Sequence, residues 1–188
     1  MIGNDIVDLQ QAAKDSNWKR FRFLDKVFTQ KEQCIIHSSE NQNQMVWLLW
    51  TMKEAAYKAH IRETKLPFLN PKRMQCQLGL NNEGVVCIDE KRYHSKSIIT
   101  SKYIHSIAMK TGFKCPEIHF FKLPETDQSQ MLRGKIVNQI SLNKGKELSA
   151  IEIKKSAIGV PNVFYNGQQI MEALSISHHG EFGAFAMC

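Results

Sequence analysis

The sequence contains no Cys-x-x-Cys pair. Its five cysteines, Cys34, Cys76, Cys87, Cys115 and Cys188, are odd in number and irregular in spacing. That excludes a fully paired disulfide frame and leaves no zinc-ligand pattern; reduced thiols in the cytoplasm are the expectation. No apolar run of signal-peptide length follows Met1, and no stretch approaches the ~20 apolar residues of a membrane span, so neither export nor membrane residence is expected. A Walker loop and a Gly-x-Gly-x-x-Gly fingerprint are both missing, which withdraws support from the ordinary nucleotide-binding folds. Zinc-finger spacing, an RNP-type aromatic motif and a concentrated basic stripe are missing too, which argues against nucleic-acid binding despite a pI near 9.2.

The composition that remains, 43% hydrophobic and 23% charged, is that of an ordinary globular protein rather than a disordered or fibrous one. At 188 residues the chain suits one large domain or two small packed halves. The net charge of +7 is spread along the chain and attracts anions, among them phosphorylated ligands and acidic proteins.

Residues 2–9 read as a short strand holding Asp5 and Asp8. Acids are unfavourable in strands, which suggests a task beyond folding. Thr29 and Glu32 carry a capping-box signature behind Phe28, and predict a helix to about residue 38. The strongest helical signal covers residues 44–62, where Met45, Leu49, Met52, Ala56 and Ala59 form one apolar face. A second stripe on that helix carries Trp47, Trp50, Glu54 and Lys58. Strands are predicted at 74–80, 85–89, 97–100 and 103–110, with Asn81-Asn-Glu-Gly84 as a hairpin turn. Thr111-Gly-Phe-Lys-Cys-Pro116 marks the expected boundary between halves 1–112 and 113–188. Beyond it the pattern predicts a strand at 117–123, a helix at 127–142 and strands at 151–155, 163–165, 173–177 and 182–187. The expected class is α+β.

A Glu and a Lys four residues apart share a helix face, and the plain reading of Glu54 and Lys58 is a surface ion pair worth ~0.3–0.5 kcal/mol. The two tryptophans on the same stripe make a pocket wall the sharper reading. Asp5 and Asp8, taken alone, read as edge-strand residues or as a cap for the next helix. Taken together, Asp5 and Glu54 would supply the one or two carboxylates that magnesium takes from a protein, with water and substrate phosphates completing the shell.

Gly3-Asn-Asp-Ile-Val-Asp8, Phe28-Thr-Gln-Lys-Glu32 and Trp50-Thr-Met-Lys-Glu-Ala-Ala-Tyr-Lys58 follow one another in an order and separation that resemble the 4'-phosphopantetheinyl transferase superfamily. A second block resembles the same family: Gly159-Val-Pro161, Asn166-Gly167, Ser175-Ile-Ser-His-His-Gly180 and Ala184-Phe-Ala186. The resemblance implies the transferase fold and Mg-dependent transfer of 4'-phosphopantetheine from coenzyme A to a serine of an acyl or peptidyl carrier protein, releasing adenosine 3',5'-bisphosphate. It implies Asp5 and Glu54 as ligands of Mg2+, with Mn2+ as an alternative ion. It implies Glu54 and Lys58 as catalytic residues, and Lys58, Gly159, Pro161, Ser177 and His178 as coenzyme A contacts.

Three departures from the pattern matter. Surfactin-synthetase-type members have an acid where this chain has Val7, so a water is expected in its place. Asp8 lies three positions beyond Asp5; strand alternation turns it to the opposite face, and it is not expected to bind the metal. Val160 replaces a lysine common in the Gly-x-Pro motif. The two blocks also run in reversed order relative to the surfactin type, and the helix around Leu132-Arg-Gly134 resembles the early helix of those enzymes. A permuted, pseudo-twofold pair of α+β halves is therefore expected, with its site in the cleft between them. A monomer follows from that arrangement; a homotrimer like the small holo-acyl-carrier-protein synthases is the rival. Lys19, Arg20 and Arg22 are candidates for docking an acidic carrier, against a plain reading as a solvated helix face. A degenerate relative that binds coenzyme A or a carrier without catalysis is the alternative function; the retention of Asp5, Glu54 and Lys58 argues against it.

Overall fold

A computed structural model describes residues 1–112 and 116–188. The first half runs β1 (Ile2–Asp8), α1 (Leu9–Asp15), α2 (Phe23–Val27), α3 (Gln30–Ser38), α4 (Gln42–Thr64), β2 (Met74–Leu78), β3 (Glu83–Ile88), β4 (Lys91–Ile99) and β5 (Tyr103–Lys110). Its five strands form one antiparallel sheet in the order β1-β5-β4-β3-β2. The second half runs β6 (Glu117–Lys122), α5 (Gln128–Lys144), β7 (Ile151–Lys155), β8 (Pro161–Tyr165), β9 (Gln168–Gln169), β10 (Leu174–His179) and β11 (Phe182–Met187). Here the strands divide into two three-stranded sheets, β10-β11-β6 and β7-β8-β9. The fold is α+β.

The second half repeats the plan of the first. In each, a leading strand is followed by a long helix and two hairpins, and the leading strand pairs antiparallel with the last: β1 with β5, β6 with β11. Each half has its own core, one around Leu49, Met52, Ala56 and Tyr93, the other around Leu132, Ile136, Ile140 and Phe185. A third, smaller cluster of Ile2, Ile107, Ala173 and Ala186 joins them. The expected boundary between residues 112 and 113 runs onto residues 113–115, which lie outside the described residues, as does Cys115.

Helix α4 is buried along the apolar stripe read from the sequence, with Leu49, Met52, Ala56 and Ala59 all in the core. Gly3 allows β1 to lie directly against it: a Cβ on Gly3 would fall 2.1 Å from the carbonyl oxygen of Ala55. The capping box of α3 forms as predicted, with Thr29 Oγ1 accepting from Glu32 N and Glu32 Oε2 accepting from Thr29 N. Glu32 does more than cap. It is 1% exposed and meets the fully buried Lys53 of α4, Nζ to Oε2 at 2.8 Å. Lys53 Nζ also donates to the carbonyls of Pro71 and Met74, and Glu32 Oε1 accepts from the Cys76 amide. Every charged atom of this pair is thus provided for, and the pair ties α3, α4 and β2 together.

Several boundaries differ from the sequence expectation. β1 ends at Asp8, whose side chain caps α1, a helix the apolar pattern did not reveal. Residues 16–22 make turns rather than a helix, so Lys19, Arg20 and Arg22 are not on a solvated helix face. β4 starts at Lys91 rather than 97, and β10 continues through His179 rather than stopping at Ser177.

Removing one member of a buried ion pair strands its partner without compensation, at a cost of ~3–5 kcal/mol. Lys53→Met is expected to lose that much stability in urea unfolding. Glu32→Gln combined with Lys53→Met should lose less than the sum of the two single changes.

Candidate active site

Two cavities meet between the halves. The first, of about 430 Å³, is lined by Asp5 and Val7 of β1, Trp47, Trp50 and Glu54 of α4, and Arg20 and Phe23 before and in α2, with His178 and His179 of β10 at its edge. The second, of about 640 Å³, is lined by Asp5, Lys58, Gly159, Pro161, Ser177 and His178, joined by Arg133 of α5 and Lys155 of β7. Asp5 and His178 border both. The structure thus brings all seven residues selected from sequence to one place, although they come from opposite ends of the chain.

Glu54 and Lys58 do not form the surface ion pair of the plain reading. Lys58 Nζ donates instead to Asp5 Oδ1 at 2.8 Å and to the Asn4 carbonyl at 2.9 Å. Glu54 is partly buried in the first cavity, beside that pair. Burial, then the negative charge of Asp5, raises its carboxyl to a pKa of about 7, and Lys58 offsets only part of this. Two carboxylates that repel one another across a cavity, one held by a lysine and one without a hydrogen bond among the described residues, are a donor set that fits a hard divalent cation. Among the described residues no third acid, histidine or cysteine joins them. Val7 stands on the cavity wall as an apolar residue, so Asp5 and Glu54 are the two carboxylates this wall could offer a cation, with its other positions open to water or phosphate oxygens.

Asp8 turns away from this pair, as strand alternation requires. Its Oδ1 accepts from the amides of Gln10 and Gln11, and its Oδ2 from the amide of Glu181. Gly180 makes the last contact possible: it adopts φ +55°, and a Cβ there would fall 2.3 Å from Asp8 Oδ2. The Asp8 amide in turn donates to His179 Nδ1 at 3.0 Å. At the other end of the strand the Asn4 amide donates to Ser175 Oγ at 2.8 Å, and Asn4 Nδ2 to Ser177 Oγ at 2.9 Å. Asp5 therefore sits between two sets of fastenings to β10.

Ser177 is nearly buried. Its oxygen accepts from Asn4, which leaves its own O–H to donate into the second cavity. His178 is exposed, and burial of its ring followed by the charges of Lys58, His179 and Lys155 lowers its pKa. The shift favours the neutral, hydrogen-bonding imidazole over the cation. His105, buried within 3.3 Å of Asn4 Nδ2, is held to a pKa of about 3 by burial and by Lys58, and is neutral as well. Gly159 takes φ +80°, which explains a glycine at this turn.

Sequence reasoning passed over Arg133 and Lys155, which add positive charge to the second cavity, and Phe23 on the wall of the first; it pointed to Arg20 on that wall only as a candidate for docking a carrier. Arg133 had one pointer, the Leu132-Arg-Gly134 likeness; its Nη2 donates to the Ile153 carbonyl. Lys155 had none, because a lysine ending a polar strand face is indistinguishable from a solvated one.

A sequence model of the 4'-phosphopantetheinyl transferase superfamily matches residues 1–109. The match takes in more than half of the chain, and the chain belongs to this superfamily; it is an enzyme of the phosphopantetheinyl transferase class. No curated protein matches it. Among solved structures it is similar to Helicobacter pylori holo-[acyl-carrier-protein] synthase in complex with coenzyme A, at 14% identity and a TM-score of 0.48, over 59% of this chain and 100% of that one. It is also similar to Thermotoga maritima holo-[acyl-carrier-protein] synthase, at 14% identity and a TM-score of 0.43, over 89% of this chain and 83% of that one. Residues 159–178 lie beyond the span matched by the family, so their place in the site rests on the geometry above.

Glu54 keeps its proton to a higher pH in the folded chain than the ordinary 4.5, so between 4.5 and about 7 the folded state binds more protons than the unfolded one. Stability conferred by that proton is lost as the pH rises through this window. Thermal melts of the metal-free chain should show it; Glu54→Gln should flatten the trend, and magnesium should raise the melting temperature above pH 7.

Proposed function

We propose that the chain transfers 4'-phosphopantetheine from coenzyme A to a serine hydroxyl of an acyl or peptidyl carrier protein, releasing adenosine 3',5'-bisphosphate. The observation that carries this reading is the shared border of the two cavities. Asp5, a carboxylate suited to a metal, and His178, an imidazole suited to a phosphate, face the same junction from separate sheets.

Asp5 and Glu54 are the residues that would hold Mg2+, or Mn2+ in its place. When bound, the ion neutralises pyrophosphate charge that would otherwise repel a nucleophile. Lys58, Ser177, His178, Arg133 and Lys155 present donors and positive charge to the second cavity, which suits the phosphates of coenzyme A, with Gly159 and Pro161 forming its far wall. The first cavity shares Asp5 with the second and provides an approach for the carrier serine. Glu54 lines that approach and is the carboxylate placed to take the serine proton. Transfer breaks the bond between the pantetheine-bearing phosphorus and the bridging oxygen, and forms the serine phosphodiester. Positioning and charge stabilisation supply most of the rate.

Arg20 on the rim of the first cavity, with exposed Lys19 and Arg22 beside it, supports docking of an acidic carrier. A site completed by both halves of one chain supports a monomer over a homotrimer. Cys34, Cys76 and Cys87 are free thiols, which fits a reducing, cytoplasmic setting.

The test is incubation with coenzyme A, Mg2+ and a panel of carriers, read by intact mass. One carrier should gain the mass of one phosphopantetheine, and EDTA should prevent it. Glu54→Gln should lower transfer by ~100-fold or more while keeping the wild-type circular dichroism. Near-normal transfer by that variant would remove Glu54 from the mechanism.

A further inference from the structure

Arg62 lies one turn beyond Lys58 on α4, and is only 5% exposed. Its Nη2 donates to the carbonyl oxygens of Pro161 at 2.7 Å and Leu174 at 2.5 Å, and its Nη1 lies 3.5 Å from Asn162 Oδ1. These acceptors belong to β8 and the start of β10, about a hundred positions further along the chain. The guanidinium borders a hollow of about 90 Å³ together with Lys58, Gly159, Val160 and Pro161.

The position is an expensive one for a cation. Taking a guanidinium out of water costs free energy that neutral carbonyls only partly offset. Burial lowers its pKa, opposed by the charge of Cys188. Ile2, Ile61, Val160 and Leu174 line the same hollow, so an apolar residue would suit it if filling space were the whole task.

What Arg62 holds is the turn that precedes β8. That turn has its own local bonds, Ser156 N to the Val160 carbonyl and Gly159 N to the Ser156 carbonyl. They determine its shape but not its distance from α4. The fork of Arg62 supplies that distance, and does so from the helix that presents Glu54 and Lys58. The three charged residues stand four apart on one face, so the turn is registered to the carboxylate and the lysine by a single rigid rod.

We propose that Arg62 is a positioning residue for the coenzyme: it fixes the Gly159–Pro161 turn and the start of β10 relative to Glu54 and Lys58. Its effect falls on coenzyme A binding and not on the carrier or the chemical step. The proposal rests on the reading of the second cavity as the coenzyme A site.

Arg62→Met and Arg62→Lys separate this role from a purely structural one. Arg62→Met should raise the KM for coenzyme A, and its calorimetric Kd, by ~10-fold or more, with kcat at saturating coenzyme A within ~3-fold and the carrier KM unchanged. Arg62→Lys keeps the charge but is shorter and has no second nitrogen to reach Asn162 while the first serves the two carbonyls, and should fall between. A lower melting temperature with KM and Kd for coenzyme A unchanged would overturn the proposal; so would a fall in kcat alone. Should Arg62→Met fail to fold, Arg62→Lys is read by the same criteria. Wild-type transfer together with unaltered constants in the variants defeats this proposal alone. A wild-type chain that binds no coenzyme A defeats the functional reading with it.

Discussion

Strand β1 has β5 on one side and, among the described residues, no strand paired to its other edge. Two of its outward amides, at Asn4 and Asp8, are taken up by side chains of β10, Ser175 Oγ and His179 Nδ1. Buried amides must find acceptors, and here side chains supply them where a ladder would have fused the sheets. The difference matters for the site. A continuous ladder would bring the backbones to ~4.8 Å and close the space between them. Side-chain fastenings hold the strands in register yet leave the two cavities that Asp5 and His178 both line. The strand that carries Asp5 and the strand that carries His178 can therefore face one cleft.

The rest of the first half serves to carry β1 and α4 to that cleft. Gly3 lets the strand lie on the helix, and the buried Glu32–Lys53 pair anchors the helix to α3 and β2. Lys53 and Glu54 are adjacent in sequence but differ in every physical respect. One points into the core and is matched there by an acid and two carbonyls; the other points into a cavity beside a second acid and is left unmatched. The second half repeats the first in outline but not in chemistry. Counting from the first residues of β5 and β11, the position on β6 that corresponds to Asp5 carries His119, which stacks on Phe185.

Much of this was legible in the sequence. Helix α4 was, because its apolar repeat is long. The seven residues that meet at the two cavities were, because their motifs combine type, order and spacing. The direction of Asp8 followed from strand alternation, but its purpose did not: its partner Glu181 is 173 positions away, and no local pattern reports such a contact. Helix α1 was hidden because its cap also reads as a strand residue and its one buried residue is Ala12. β9 has two residues, too few for any period to show. Lys53 and Arg62 were hidden for a common reason. Both are buried charges, and the rule that charged residues face water fails where carbonyls or a paired acid are waiting inside.

The joining of the two halves by the segment from Lys110 to Glu117 has a consequence for how the cleft responds to dilution. If the strands carrying Asp5 and His178 lay on separate molecules, their meeting would be an association whose extent falls with concentration. On one chain each is tethered to the other, and the tether sets a local concentration that the volume of the solution cannot change. The seam between β1 and β10 can then be built from a few hydrogen bonds and a small apolar cluster. Such a seam needs no contact surface of the size that holds separate molecules together.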